Sequence, residues 1–362
     1  MAGWITKRIK LQEFMGLVKD QVSLGRAMAK AGQFSQIDLA VLRATGHEEH
    51  AVEKETMKAV LDVGGGSRMR VSHCVCFIMD RLNKTRSWIV AIKCLLLIHK
   101  CLHEGGFMFQ DQLSIHPCRG GHNYLNLSKF RDTSSAFAWA TSAWVRWYAE
   151  FIEQWIQTSR SIGTFLDSKE EEKSLHTERL VTLASPQLVK EMINLEEFLH
   201  EAAGWEAEDF VTEHVLVKEA LSLITATTRK AYREVKSRFE EVIERTSMLV
   251  QTEALALLNV CERLSEDSMS LLQLFETGES LCTDQVSGHI VYTSFELEKL
   301  KEALQHISLH NRPLSKQVFL DQGLSQMWKS ARWEKIAVSN LGIRDMRKGN
   351  SFSNFDFDKG IF

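Results

Sequence analysis

Residues 88–104 read WIVAIKCLLLIHKCLHE and are followed at once by Gly105-Gly106. The run is apolar on nearly every side of a 3.6-residue period. Such a segment is stable only as a helix surrounded by other elements, so it predicts the central, most buried helix of the fold. Ser87 stands where a cap is needed, and the glycine pair stops the helix. The run is too short, and holds Lys93, so it does not read as a membrane span.

Working outward, the same period continues. Val71, Val75, Ile78, Met79 and Leu82 form one stripe within 68–83, and residues 50–63 form a weaker helix that Gly64-Gly65-Gly66 must end. Ser35 and Asp38 have capping-box spacing ahead of Ile37, Val41 and Leu42. Beyond a Pro/Gly loop at 114–126, a long helix runs from Ser134 to about Leu166, with Trp144, Tyr148, Phe151, Ile152, Trp155 and Ile156 at helical spacing. Residues 167–178 are charged and read as a surface linker. Ser185-Pro186 opens another helix carrying Leu188, Met192, Leu195 and Leu199. Residues 208–276 hold neither Gly nor Pro and predict two or more long antiparallel helices. A further helix is expected near 293–309, and 340–362 reads as a weakly ordered tail. No alternating strand pattern of useful length occurs. The expected fold class is all-α, a stack of antiparallel helices.

The chain has 362 residues, 44% hydrophobic and 25% charged, with only 3 prolines, which leaves long helices uninterrupted. Its 7 cysteines follow no secreted-scaffold spacing, and several lie in apolar runs, as buried thiols of a cytosolic protein would. The start MAGWITKRIK has no signal-peptide core. Net charge is −3 overall, but residues 1–30 carry a local +4 from Lys7, Arg8, Lys10, Lys19, Arg26 and Lys30 against Glu13 and Asp20.

Three blocks carry a family resemblance: RATGHEEH at 43–50, LNKTRSWIVAIKCLLLIHKCLHEG at 82–105 and NLSKFRDTSSAFAWATSAWVRWYAEFI at 126–152. They keep their order and approximate spacing, and together they resemble the ANTH domain of plant-type clathrin assembly proteins. The resemblance implies an ENTH-like part at about 30–166, a linker at 167–178 and a C-terminal helical part at 179–310. The domain as a whole would cover 20–310, between a basic amphipathic segment at 1–19 and a short, mostly flexible tail at 311–362. It also implies a non-enzymatic, cytoplasmic peripheral-membrane adaptor of clathrin-coated pits and vesicles, acting in endocytosis or post-Golgi budding. Its implied partners are membranes with phosphatidylinositol 4,5-bisphosphate, clathrin with its ear-type adaptors, and vesicle-SNARE helices.

Family members hold the inositol phosphates with a Lys in "KAT", then nine residues later a Lys, one further residue, a Lys or Arg, and a His or Tyr. Cations suit this task because they supply charge-assisted hydrogen bonds to a highly charged headgroup. Here the first position is Arg43, whose guanidinium binds phosphate well. The others fall on Glu53, Glu55 and Thr56. Two readings follow: Lys30, Arg43, Lys54 and Lys58 form a weakened site, or specific lipid binding is lost. The N-terminal segment offers compensation, since Trp4, Ile5, Ile9, Leu11, Phe14, Leu17 and Val18 alternate with Lys7, Arg8, Lys10 and Lys19. That is the pattern of an interfacial helix, and equally of a helix that packs its apolar side on the domain.

In the tail, Phe352, Phe355, Phe357 and Phe362 among Asp356 and Asp358 are candidates for an adaptor-ear pocket, or merely an aromatic chain end. LLQLFE at 271–276 resembles a clathrin box but reads better as a helix core stripe. No cofactor, metal, nucleic acid or catalytic group is expected. His116, Cys118 and His122 lack a second ligand pair, and Gly64–Arg68 lacks the strand and the GK[ST] ending of a phosphate loop. Helix-surface cations such as Arg160 show no interleaved aromatics. The competing function is a scaffold of the same fold that has lost lipid and clathrin contacts and binds a SNARE or other partner helix in a groove.

Overall fold

The computed structural model describes residues 2–29, 32, 34–163, 173–205, 209–245 and 248–281; for 2–13, 173–177, 209–210 and 279–281 it describes the backbone alone. Among the described residues there are helices and no strands. In chain order they are α1 (Ala2–Ala29), α2 (Ser35–Ala44), α3 (Lys54–Leu61), α4 (Arg68–Lys84), α5 (Trp88–Glu104), α6 (Gly106–Ile115), α7 (Ala136–Ile162), α8 (Lys173–Thr182), α9 (Ser185–Ala203), α10 (Asp209–Thr212), α11 (Val215–Glu244) and α12 (Gln251–Leu281). Helix α8 starts inside the stretch read as a linker and turns Leu180 inward. Leu180 is 3% exposed. The helix expected near 293–309 and the tail lie outside the described residues.

Helix α5 is the hub of the first half, packed by α3, α4, α6 and α7 and reached from the second half by α11. Trp88, Ile92, Leu95, Leu96 and His99 are all buried, as its composition demands. His99 joins three helices: Nδ1 meets Tyr148 Oη of α7 at 2.9 Å, and Nε2 meets Thr227 Oγ1 of α11 at 2.9 Å. Burial, with His103, Lys230 and Lys100 nearby, pushes this imidazole well below its ordinary range, so it packs as a neutral ring between two hydroxyls. Leu95→Ala is expected to cost roughly 2–5 kcal/mol of unfolding free energy in urea titration. A loss under about 1 kcal/mol would show the core to be centred elsewhere.

Two expected caps are replaced by longer-range partners. Ser87 makes no side-chain cap; instead Asp132 Oδ2 accepts from Trp88 N at 2.8 Å, and Asp132 N donates to Ser142 Oγ at 2.9 Å. The loop before α7 therefore caps α5. At α2, Ser35 is the first helical residue and donates to Gly32 O, so the Ser35–Asp38 box does not form. Asp38 instead receives His73 Nε2 of α4 at 2.7 Å. Ser135, however, caps α7 by accepting from Ala138 N at 3.0 Å, and Gly163 ends that helix at φ 77°, where a Cβ would strain the backbone.

In the second half, α9 lies among α7, α11 and α12. Helices α11 and α12 are the antiparallel pair expected from 208–276: Thr225, early in α11, donates from Oγ1 to Leu274 O, late in α12, at 3.4 Å. A Cβ on Gly278 would collide with the Thr225 side chain, so this glycine permits the close approach. Leu271, Leu274 and Phe275 are buried, which places the LLQLFE motif in the core.

Candidate functional site

Helix α1 packs through a narrow stripe. Gly16 and Ala27 are buried, and Asp20, Ser23 and Leu24 are partly covered. The other side of the cylinder is apolar and bare: Phe14 is 61% exposed, Val22 47% and Met28 60%, with Met15, Leu17 and Val18 also exposed. At 100° per residue, Phe14, Val18 and Val22 form a line opposite the buried stripe. Of the large apolar residues at 14–28, Leu24 packs on the domain beside Leu39, Leu42 and Phe77, whereas Phe14, Met15, Leu17, Val18, Val22 and Met28 stand exposed. Trp4, Lys7, Arg8 and Lys10 lie on the same helix, but their side chains are outside the described residues. Lys19 and Arg26 are exposed and form no ion pair among the described residues.

The small stripe is anchored by polar bonds as well as by Leu24 and Ala27. Asp20 Oδ2 accepts from His47 N at 2.7 Å and meets His47 Nδ1 at 2.9 Å, while Oδ1 accepts from Arg81 of α4 at 3.1 Å. Arg81 also donates to Thr45 O at 2.7 Å. Burial raises the Asp20 carboxyl, but the His47 hydrogen bonds and the charges of His47 and Arg81 outweigh it and hold the group below its usual range. One carboxylate thus ties α1, the turn after α2 and α4 together, and a side chain on Gly16 would strike His47. Sequence reading missed Asp20, His47 and Arg81. RATGHEEH was their signal, because an ordered turn needs partners for its backbone groups.

That turn joins the helices bearing the expected headgroup residues. Arg43 is exposed in the last turn of α2. Glu53 precedes α3, and Lys54, Glu55 and Lys58 are exposed on it. Lys54 and Lys58, four residues apart, share one face of α3. Among the described residues, Arg43, Lys54 and Lys58 enter no ion pair, so their charge is available to an anion. Thr56 Oγ1 donates to Glu53 at 3.5 Å, a long contact that leaves the carboxylate exposed. Lys30, Phe352, Phe355, Phe357 and Phe362 lie outside the described residues.

The other motif residues are held structurally. His116 Nδ1 lies 3.6 Å from Cys76 Sγ, and His122 Nε2 is 3.0 Å from Asn83 Oδ1. With Cys118 they form no common ligand set. Among the described residues, no helix is long and apolar enough to cross a membrane.

Residues 36–288 match the family described as the ANTH domain. A protein of Arabidopsis thaliana named for clathrin assembly is 33% identical over 259 residues, covering 70% of this chain and 71% of the relative. A second from that organism, similarly named, is 27% identical over 276 residues, 72% of this chain but only 45% of its own length. A third is 37% identical over 147 residues, covering 40% of this chain and 24% of the relative. Several relatives are thus far longer than the region they share with this chain. With the helical stack and the family match extending over most of its length, the chain belongs to the ANTH domain family.

Proposed function

We propose that this chain is a clathrin-associated adaptor that lies on an anionic, phosphoinositide-containing membrane, with α1 and the α2–α3 corner as its membrane face. The observation that carries the reading is the bare apolar side of α1, flanked by Lys19 and Arg26 and held to the domain by Asp20. An interfacial helix needs that arrangement: apolar side chains free to enter the headgroup boundary and cations at their edge. The family membership and the names of the relatives support the clathrin association. Residues 311–362 are the segment proposed to reach clathrin and adaptor ears, through Phe352, Phe355, Phe357 and Phe362.

Selectivity for the bisphosphate headgroup is proposed to be weak. Arg43, Lys54 and Lys58 attract phosphate, and Glu53 and Glu55 beside them repel it. Vesicle co-sedimentation tests this, comparing phosphatidylinositol 4,5-bisphosphate with phosphatidylserine at equal total charge. Arg43→Ala should change the ratio less than about twofold. Glu53→Lys with Glu55→Lys should raise bisphosphate binding at least about tenfold, since each basic residue near an anionic surface contributes about 1 kcal/mol. A strong wild-type preference abolished by Arg43→Ala alone would overturn this reading.

A further inference from the structure

Glu196, on α9, has no exposed surface. Arg263 Nε of α12 approaches its Oε1 at 2.9 Å, but without a well-aligned N–H, and neither carboxyl oxygen receives a hydrogen bond. A buried carboxylate left in this state is costly. One helical turn further on, His200 Nδ1 lies 2.8 Å from Asp267 Oδ2 of α12. The His200 side chain is 58% exposed and that of Asp267 14% exposed. A carboxyl oxygen from each acid and a nitrogen of His200 all lie within 4.8 Å of one another. Nothing in the membrane face or the headgroup motif uses these groups.

We propose that Glu196, His200 and Asp267 form a divalent-cation site of the zinc class that joins α9 to α12. One imidazole nitrogen with two carboxylate oxygens is a donor set that zinc accepts, whereas calcium and magnesium favour oxygen alone. Two carboxylates and a neutral imidazole balance the charge of the ion. The cation takes the place of the proton between His200 Nδ1 and Asp267 Oδ2, and Glu196 Oε2 supplies the third bond. Arg263 remains on Oε1 as the outer partner that orients the carboxylate. Bonds of about 2.0–2.2 Å put tetrahedral ligand atoms roughly 3.3 Å apart, so the His200–Asp267 pair opens from 2.8 Å while Glu196 draws in to meet it. His200 is exposed enough to turn inward, and its open side admits the ion and a water as fourth ligand.

The test is calorimetric titration of the chelator-treated full chain with Zn²⁺, with Mg²⁺ in parallel, followed by thermal unfolding. Cys118, an exposed thiol, is changed to Ser throughout so that it does not compete. One equivalent of Zn²⁺ should bind and raise the melting temperature by roughly 5 °C at about a hundredfold excess over Kd, with no shift from Mg²⁺. Glu196→Gln and His200→Ala should each weaken binding at least about tenfold. His200→Ala alters an exposed group and keeps the fold, so its result stands even if Glu196→Gln perturbs packing. No thermal shift, an equal shift with Mg²⁺, or an affinity within about twofold of wild type in His200→Ala would overturn the site.

Discussion

Arg238→Ala is expected to cost about 3–5 kcal/mol of stability, read as a lower urea midpoint with an unchanged slope. The guanidinium has no exposed surface. It donates from Nε and Nη2 to Glu191 Oε2 at 3.1 and 2.8 Å, and from Nη1 to Glu234 at 2.6 Å. Glu191, 1% exposed on α9, also receives Arg179 of α8 at 2.6 Å. The pair therefore ties α8, α9 and α11 together out of water. Truncating the arginine strips Glu191 of its fork and leaves one partner, itself less buried. Replacing both members with apolar residues, Arg238→Met with Glu191→Leu, should recover most of the loss, because the charge that then loses its partner, Arg179, is part-exposed and still donates to Ile162 O. A single-variant loss below about 1 kcal/mol would show that water reaches Glu191 and that the network is peripheral.

Much of the helical stack was legible because burial leaves a period. The run at 88–104 has no polar face and became the hub. The aromatic spacing of Trp144, Tyr148, Phe151 and Trp155 became the buried side of α7, and 208–276, without glycine or proline, became α11 and α12. Polar partnerships across the fold leave no such trace. Asp38 has capping spacing from Ser35, yet its carboxylate serves His73, and the cap of α5 is Asp132, far along the chain. Local spacing suggests a local partner, and a distant group with better geometry displaces it.

The candidate surface was legible in part for the same reason. The cations at Arg43, Lys54 and Lys58, and the acids among them, can be counted in sequence. The orientation of α1 cannot, since an amphipathic helix shows the same period whichever way it faces. What decides it is Asp20, bound to His47 and Arg81, which turns the small side of α1 inward and the line of Phe14, Val18 and Val22 outward.

Changing Phe14, Leu17, Val18 and Val22 together to Ser should reduce vesicle binding about a hundredfold or more. Each such side chain gains about 1.5–3 kcal/mol on full burial. A helix lying at the interface realises part of that, so about 3–5 kcal/mol for the four is a conservative total. The charged part behaves differently. Attraction by Lys19 and Arg26 weakens as salt shortens the screening length to about 8 Å at physiological strength, whereas the apolar part persists. Because these four side chains are exposed in the fold, the melting temperature should stay within about 2 °C of wild type, which separates lost binding from lost structure. The direct measurement is co-sedimentation of the full chain and the quadruple variant with phosphatidylserine vesicles containing phosphatidylinositol 4,5-bisphosphate, at physiological salt. The account predicts that wild type sediments and the variant stays in the supernatant. Binding of the two within about threefold of each other would contradict it.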